Sequence, residues 1–301
     1  MSKYSHTVWS EWPDIKVPSG FRCLSPANFP LESSDLSQIT IYVQPYMTGN
    51  ESLEPVLSMD NLQILQLPNA GYESAIPYLR GGLTLCNARG VHNASTAELA
   101  VGMAIAMKRG FPDFVRAQDK GEWSHERMGS LSDSRIGIIG AGSIGQTLVS
   151  FLRPYEVEIT SFSRSGNNNS LTMERLDSLL PTFDLIFLII PLNEDSHQLF
   201  DARRLALMKD GAILINVARG KVIDTDALVT ELSTGRILAA LDVTDPEPLP
   251  TDHPLWKLKN VMITPHVGGD SAAFESRGRK FIEEQLQRIA DGAELLNVIN
   301  L

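Results

Sequence analysis

Three side chains in the second half of the sequence have the chemistry to act together: Arg219, Glu247 and His266. Arg holds a carboxylate through two parallel hydrogen bonds and polarises a neighbouring carbonyl. His is the usual proton donor near neutral pH. A carboxylate beside it favours the imidazolium and fixes the ring. Singly, each has a plainer reading: a surface cation between two turns, an exposed carboxylate in a proline-rich turn, a satisfied loop histidine. Their positions argue for a joint one. Each follows a short apolar run of strand type, at 212–216, 238–243 and 261–264. In a doubly wound sheet the carboxyl ends of the strands converge on one crevice.

A second pattern says what else lies in that crevice. Ile136, Ile138 and Ile139 form a β-branched run that leads into Gly140-Ala141-Gly142-Ser143-Ile144-Gly145, a G-x-G-x-x-G. Apolar residues at Leu148, Val149 and Leu152 then suit a helix packed on a sheet. Strand, glycine turn and helix in that order point to a dinucleotide, a glycine-rich turn with no ligand being the plainer alternative: the first glycine makes the turn, the second admits the pyrophosphate, and the third lets helix and strand pack. The helix N-terminus favours the phosphate charge. A site for NAD usually carries an acidic residue at the tip of the next strand. Here the run 157–162 ends at Ser163-Arg164-Ser165, with no carboxylate. Asp would repel a 2′-phosphate, whereas Arg pairs with one. NADP is therefore expected in preference to NAD, with NAD possible; a solvated Arg164, or one stacked on adenine, is the plainer alternative. Together with Arg219 as substrate anchor, His266 as proton donor and Glu247 as its partner, a nicotinamide hydride would reduce a 2-oxo acid.

These residues need a scaffold, and 301 residues suffice for two domains with separate cores. The expected architecture is α/β: a doubly wound parallel (Rossmann) nucleotide-binding domain at 95–271, and a smaller flavodoxin-like substrate domain made of 1–94 and a return helix at 272–301. In the first part, runs at 21–24, 41–43, 62–67 and 83–86 read as strands, and 51–58 and 72–80 as helices. Ala70 and Gly71 follow one strand end; their backbone N–H groups either receive a substrate carboxylate or simply close a turn. The small-residue stretch 96–107 reads as a helix buried nearly all round, a connector or a subunit interface. Further helices are expected at 111–123, 146–153, 171–180, 224–232 and 272–290, and a further strand at 185–190.

Composition excludes some classes. A net charge of −10 argues against a nucleic-acid or anionic-membrane partner. The polar stretch 1–10 has no signal-peptide core, and no apolar run approaches transmembrane length. Cys23 and Cys86 sit in apolar runs and read as buried free thiols, with no metal site expected. A cytoplasmic setting is the default.

The chain resembles the D-isomer-specific 2-hydroxyacid dehydrogenases. The matching pieces are the glycine turn 140–145, I-N-V-A-R-G at 215–220, L-D-V-T-D-P-E-P-L-P at 241–250, H-P-L-W at 253–256 and I-T-P-H-V-G-G at 263–269. L-P-N-A-G-Y at 67–72 and N-A-S-T-A-E at 93–98 extend the match more weakly into the first domain. The resemblance implies that Arg219, Glu247 and His266 are the catalytic set. It implies substrate contacts at Ala70, Gly71, Arg219 and His266. Besides the glycine turn and 163–165, it implies cofactor contacts at Pro191 (adenosine), Asp242 (nicotinamide carboxamide), Val217 and Gly268. It further implies a D-2-hydroxy acid product and a homodimer. With Ser163-Arg164-Ser165, the chain is most similar to the NADPH-dependent glyoxylate and hydroxypyruvate reductases. The alternative is a dinucleotide-sensing, corepressor-like binding protein of the same fold.

Overall fold

A computed structural model of the chain describes residues 4–33 and 35–300; of the polar N-terminal stretch, Met1–Lys3 lie outside the described residues. The chain divides into two compact units, 1–92 with 270–301, and 93–269. The expectation from the sequence is crossings at 94/95 and 271/272.

Among its described residues the first unit holds five short strands: β1 (His6–Trp9), β2 (Phe21–Leu24), β3 (Ile41–Val43), β4 (Ile64–Gln66) and β5 (Thr84–Cys86). They pair in parallel in the order β2-β1-β3-β4-β5, the flavodoxin-like arrangement. Alternate residues face two cores. Ile41, Val43 and Ile64 pack on one side, Tyr42 and Leu65 on the other. β1 has no counterpart in the sequence reading, although it pairs with both β2 and β3. The expected helices at 51–58 and 72–80 are 3-10 turns (Asn50–Ser52, Glu54–Ser58, Glu73–Tyr78). Pro55 and Pro77 remove the N–H groups that α-helical continuation needs.

The second unit begins with α1 (Asn93–Lys108) and α2 (Phe111–Asp119). Then come β6 (Arg135–Ile139), α3 (Ser143–Leu152), β7 (Glu158–Ser163), β8 (Leu171–Thr172), α4 (Leu176–Leu179), β9 (Leu185–Leu188), α5 (Ala202–Leu207), β10 (Ile213–Asn216), α6 (Thr225–Ser233), β11 (Leu238–Leu241) and β12 (Val261–Ile263). All seven strands are parallel, in the order β12-β11-β10-β9-β6-β7-β8. The order reverses between β6 and β9, where an open α/β sheet takes its ligand. Ile136, Ile138, Phe187 and Ile215 face one core with α1 and α3. Ile139, Ile186, Leu188 and Leu214 face the other. α1 buries Ala97, Ala100, Met103, Ala104 and Met107 in the first of these cores. The expected helix at 171–180 is instead a two-residue strand, a 3-10 turn and one helical turn, ended by Pro181. The chain then returns to the first unit through α7 (Ala273–Ala290), whose Phe274, Ile282 and Leu286 complete the core on the Ile41 side.

Candidate active site

Because the strands of the second unit are parallel, the tips of β6, β7, β9, β10, β11 and β12 lie on one edge of the sheet. The turn after β10 is built by Asn216, which is fully buried. Its side-chain carbonyl accepts the Ala218 N–H (3.0 Å), and its amide donates to the Arg219 carbonyl (3.0 Å). The next residue must lack a side chain: a Cβ on Gly220 would stand 1.8 Å from the Thr244 carbonyl oxygen. The turn carrying Arg219 is thus pressed against the turn carrying Glu247. Thr225 Oγ1 adds a bond to the Asp245 carbonyl (2.9 Å). The Arg219 guanidinium donates through Nη1 to the Ala218 carbonyl (2.7 Å).

His266 adopts φ = +55°, in the left-handed region that costs a residue with a Cβ roughly 1–2 kcal/mol. Its N–H donates to the carbonyls of Asp242 (2.8 Å) and Thr264 (3.0 Å). The loop is also tied to the Asp242 carboxylate, which is buried. Oδ1 accepts from Thr264 Oγ1 (2.6 Å) and the Val267 N–H (2.9 Å), and Oδ2 from the Gly268 N–H (2.9 Å). A carboxylate with three donors of its own is satisfied in the interior and holds the loop in the strained shape that presents the imidazole.

The imidazole meets Glu247: Nδ1 lies 2.5 Å from Oε1, with both side chains half-exposed. This hydrogen bond holds His266 above its ordinary value and Glu247 below the usual carboxylate range. Burial opposes both shifts. The Arg219 charge assists the second and opposes the first, so its field reaches both groups. With Nδ1 engaged by Glu247, Nε2 is the ring nitrogen able to give a proton to a ligand.

At β6, Gly140 turns with φ = +122°, and a Cβ there would stand 2.0 Å from the Ile189 carbonyl oxygen. One on Gly145 would meet the Gly140 oxygen at the same distance. Around Gly142, by contrast, the space is open. α3 starts at Ser143, inside the motif and three residues earlier than the sequence reading, and no side chain caps it. An open cradle at the uncapped start of a ten-residue helix fits a pyrophosphate. Ser163 ends β7 with its hydroxyl on that of Ser170 (2.7 Å), and Arg164 is 85% exposed. Pro191 follows β9, its carbonyl taking the Ser196 hydroxyl (2.7 Å). The N–H groups of Val217 and Gly268 serve the Leu188 carbonyl and the Asp242 carboxylate, respectively. Ala70 and Gly71 belong to the other unit, in the loop after β4. There Asn87 Nδ2 donates to the Ala70 carbonyl (2.6 Å) and the Ala88 N–H to that of Asn69 (2.8 Å).

Sequence reasoning missed Asn216 and Thr264 as builders of the site. The signal was a polar residue closing an apolar run, since a buried amide or hydroxyl must find partners.

The family model described as D-isomer specific 2-hydroxyacid dehydrogenase, NAD binding domain, matches residues 101–268. The chain is 32% identical over 248 residues to the glyoxylate reductase of Thermofilum pendens, covering 77% of this chain and 73% of that protein. It is 34% identical over 212 residues to the hydroxypyruvate reductase of Thermotoga maritima, covering 67% and 69%. The crystal structure of a D-isomer specific 2-hydroxyacid dehydrogenase family protein from Aeromonas salmonicida matches with a TM-score of 0.86 at 26% identity, over 99% of each chain. The chain therefore belongs to the D-isomer specific 2-hydroxyacid dehydrogenase family, a class of NAD(P)-dependent oxidoreductases. It spans less than half the length of two D-3-phosphoglycerate dehydrogenases it matches, 44% of the one from Methanocaldococcus jannaschii and 49% of the one from Archaeoglobus fulgidus.

Proposed function

We propose that the protein reduces a small 2-oxo acid, of the glyoxylate or hydroxypyruvate type, to the D-2-hydroxy acid, with NADPH preferred over NADH. The observation that carries this reading is the 2.5 Å His266–Glu247 pair within the field of Arg219, on the sheet edge that also holds the glycine turn. The reduced nicotinamide, when bound, supplies the hydride. Gly140, Gly142, Ser143, Ile144 and Gly145 would hold its pyrophosphate, and Ser163, Arg164 and Ser165 its 2′-phosphate. Pro191, Val217, Asp242 and Gly268 would line the remainder. Arg219 anchors the substrate carboxylate and polarises the carbonyl. Ala70 and Gly71, in the first unit, are proposed as further contacts for a substrate carboxylate. His266 gives its Nε2 proton to the carbonyl oxygen as charge develops there. Glu247 keeps the ring protonated and oriented. The glyoxylate and hydroxypyruvate reductases among its relatives support the substrate class.

A homodimer is part of the reading. Trp123 is 97% exposed, and Phe111 and Val115, one turn apart on α2, are about half-exposed. Two cysteines left as thiols suit a cytoplasmic setting. The deciding experiment is initial-rate oxidation of NADPH and of NADH with glyoxylate, hydroxypyruvate, pyruvate and phenylpyruvate. Fast NADPH oxidation with one of the first two is expected. Tight dinucleotide binding without turnover would favour a corepressor-like sensor.

A further inference from the structure

In the sheet β7 and β9 flank β6, so their tips stand on either side of the glycine turn. Arg164 rises from the tip of β7, and Asp195 from the loop after β9. Their side chains meet, with Nη1 of Arg164 3.8 Å from Oδ2 of Asp195. The pair therefore reaches across the end of β6, at the switch point where the adenosine half of a dinucleotide lies. Both loops are tied at their bases. On one side the Asn193 N–H donates to Ser196 Oγ (2.8 Å) and Asn193 Oδ1 accepts the Ser196 N–H (3.0 Å). On the other, Asn168 Nδ2 donates to the Ala141 carbonyl within the glycine turn (3.1 Å). The charged ends are solvated, at 85% and 77% exposure, so electrostatics rather than packing decides whether they stay together.

We propose that Asp195 is a specificity-determining residue of the dinucleotide site: its carboxylate competes with a 2′-phosphate for Arg164, and so sets how far phosphorylated ribose is preferred. The inference rests on the reading of Ser163-Arg164-Ser165 as a 2′-phosphate subsite. A phosphate monoester carries nearly two negative charges. To pair with it, the Arg164 guanidinium must leave Asp195, and the phosphate is then repelled by the carboxylate left behind. A bare 2′-hydroxyl makes no such demand, and Arg164 stays with its acid. Both penalties fall on the phosphorylated ligand alone, and salt weakens both.

The test uses the full chain and two ligands that differ only in the group at issue, 2′,5′-ADP and 5′-AMP, with binding followed by calorimetry at low and high ionic strength. Asp195→Asn should bind 2′,5′-ADP about three- to tenfold tighter than wild type at low salt. The gain should shrink as salt rises, with 5′-AMP unchanged. If Asp195→Asn leaves 2′,5′-ADP unaffected, or tightens both ligands equally, while Arg164→Ala weakens 2′,5′-ADP alone, the role given to Asp195 is wrong and the phosphate subsite stands. If wild type binds both ligands equally and Arg164→Ala changes neither, the NADPH reading fails and the inference falls with it.

Discussion

His266 depends on a neighbour for its charge and on a loop for its place, and these dependences can be separated. Glu247→Gln removes the group that favours the imidazolium but keeps the side-chain length. In the proposed reduction the protonated form is the active one, so its loss sets in at lower pH, and the alkaline limb of kcat/KM should move toward acid. A profile measured for both proteins that superposes would argue against the coupling. The same pair has a signature in stability. The raised His266 value contributes stability below the unfolded imidazole range, lost as pH rises through the folded value. The lowered Glu247 value contributes above the unfolded carboxylate range, lost as pH falls through the folded value. The pair is therefore strongest between the two. His266→Ala should cut kcat about 10²- to 10⁴-fold with dinucleotide affinity intact; a near-wild-type rate would remove it from the chemistry. Arg219→Lys keeps the charge and loses the fork. One charge-assisted hydrogen bond lost from the transition state corresponds to about a ten- to a hundredfold drop in kcat/KM.

At the scale of the elements, two glycines separate stability from binding. Gly142→Ala puts a methyl into open space at an ordinary backbone conformation. The melting temperature should barely move, while dinucleotide Kd rises more than about tenfold, because the methyl occupies the place of the approaching phosphate. Gly220→Ala drives a methyl into the Thr244 backbone. It should cost about 1–3 kcal/mol by overpacking and lower kcat as well, since Thr244 leads to Glu247. Melting curves and steady-state rates on both variants check the contrast. These elements differ in how much of them could be read beforehand. The glycine turn, the apolar strands read at 185–190 and 212–216 (185–188 and 213–216 in the structure) and the strand-tip positions of Arg219, Glu247 and His266 were plain, because periodicity and strand-tip position are local properties. β1 was not: His-Thr-Val-Trp is four residues with no alternation, and only pairing with β2 and β3 makes it a strand. The short helices of the first unit failed for another reason. Helical spacing of apolar residues does not reveal that the turn will tighten to 3-10 around a proline. The support of His266 by Asp242 and Thr264 is a matter of tertiary hydrogen bonding, which no spacing rule reports.

For the whole molecule, the two units differ in continuity. Residues 93–269 are contiguous and contain both cores of the seven-stranded sheet. Expressed alone, they should melt cooperatively and bind dinucleotide. Residues 1–92 lack Phe274, Ile282 and Leu286, each worth about 1.5–3 kcal/mol when buried, and should not fold alone. Circular dichroism of both fragments decides it. The thiols give an independent probe of the first unit. Burial pushes Cys86 up to about 11 and raises Cys23, which is only half-buried. Cys86 should therefore resist a thiol reagent in the native protein and react when guanidinium unfolds it, with Cys23 reacting first.

That discontinuity bears on how the chain is made. On the ribosome the strands of the first unit emerge early, but their covering helix α7 follows only after the whole intervening unit. At ~5–20 residues per second, the intervening unit takes roughly 10–35 s to appear. Throughout that interval the sheet face of Val8, Ile41, Val43 and Ile64 has no lid. Nascent chains are thus exposed to self-association and open to holding chaperones until α7 arrives, and premature termination before α7 leaves a product with a complete seven-stranded unit and a permanently sticky partner.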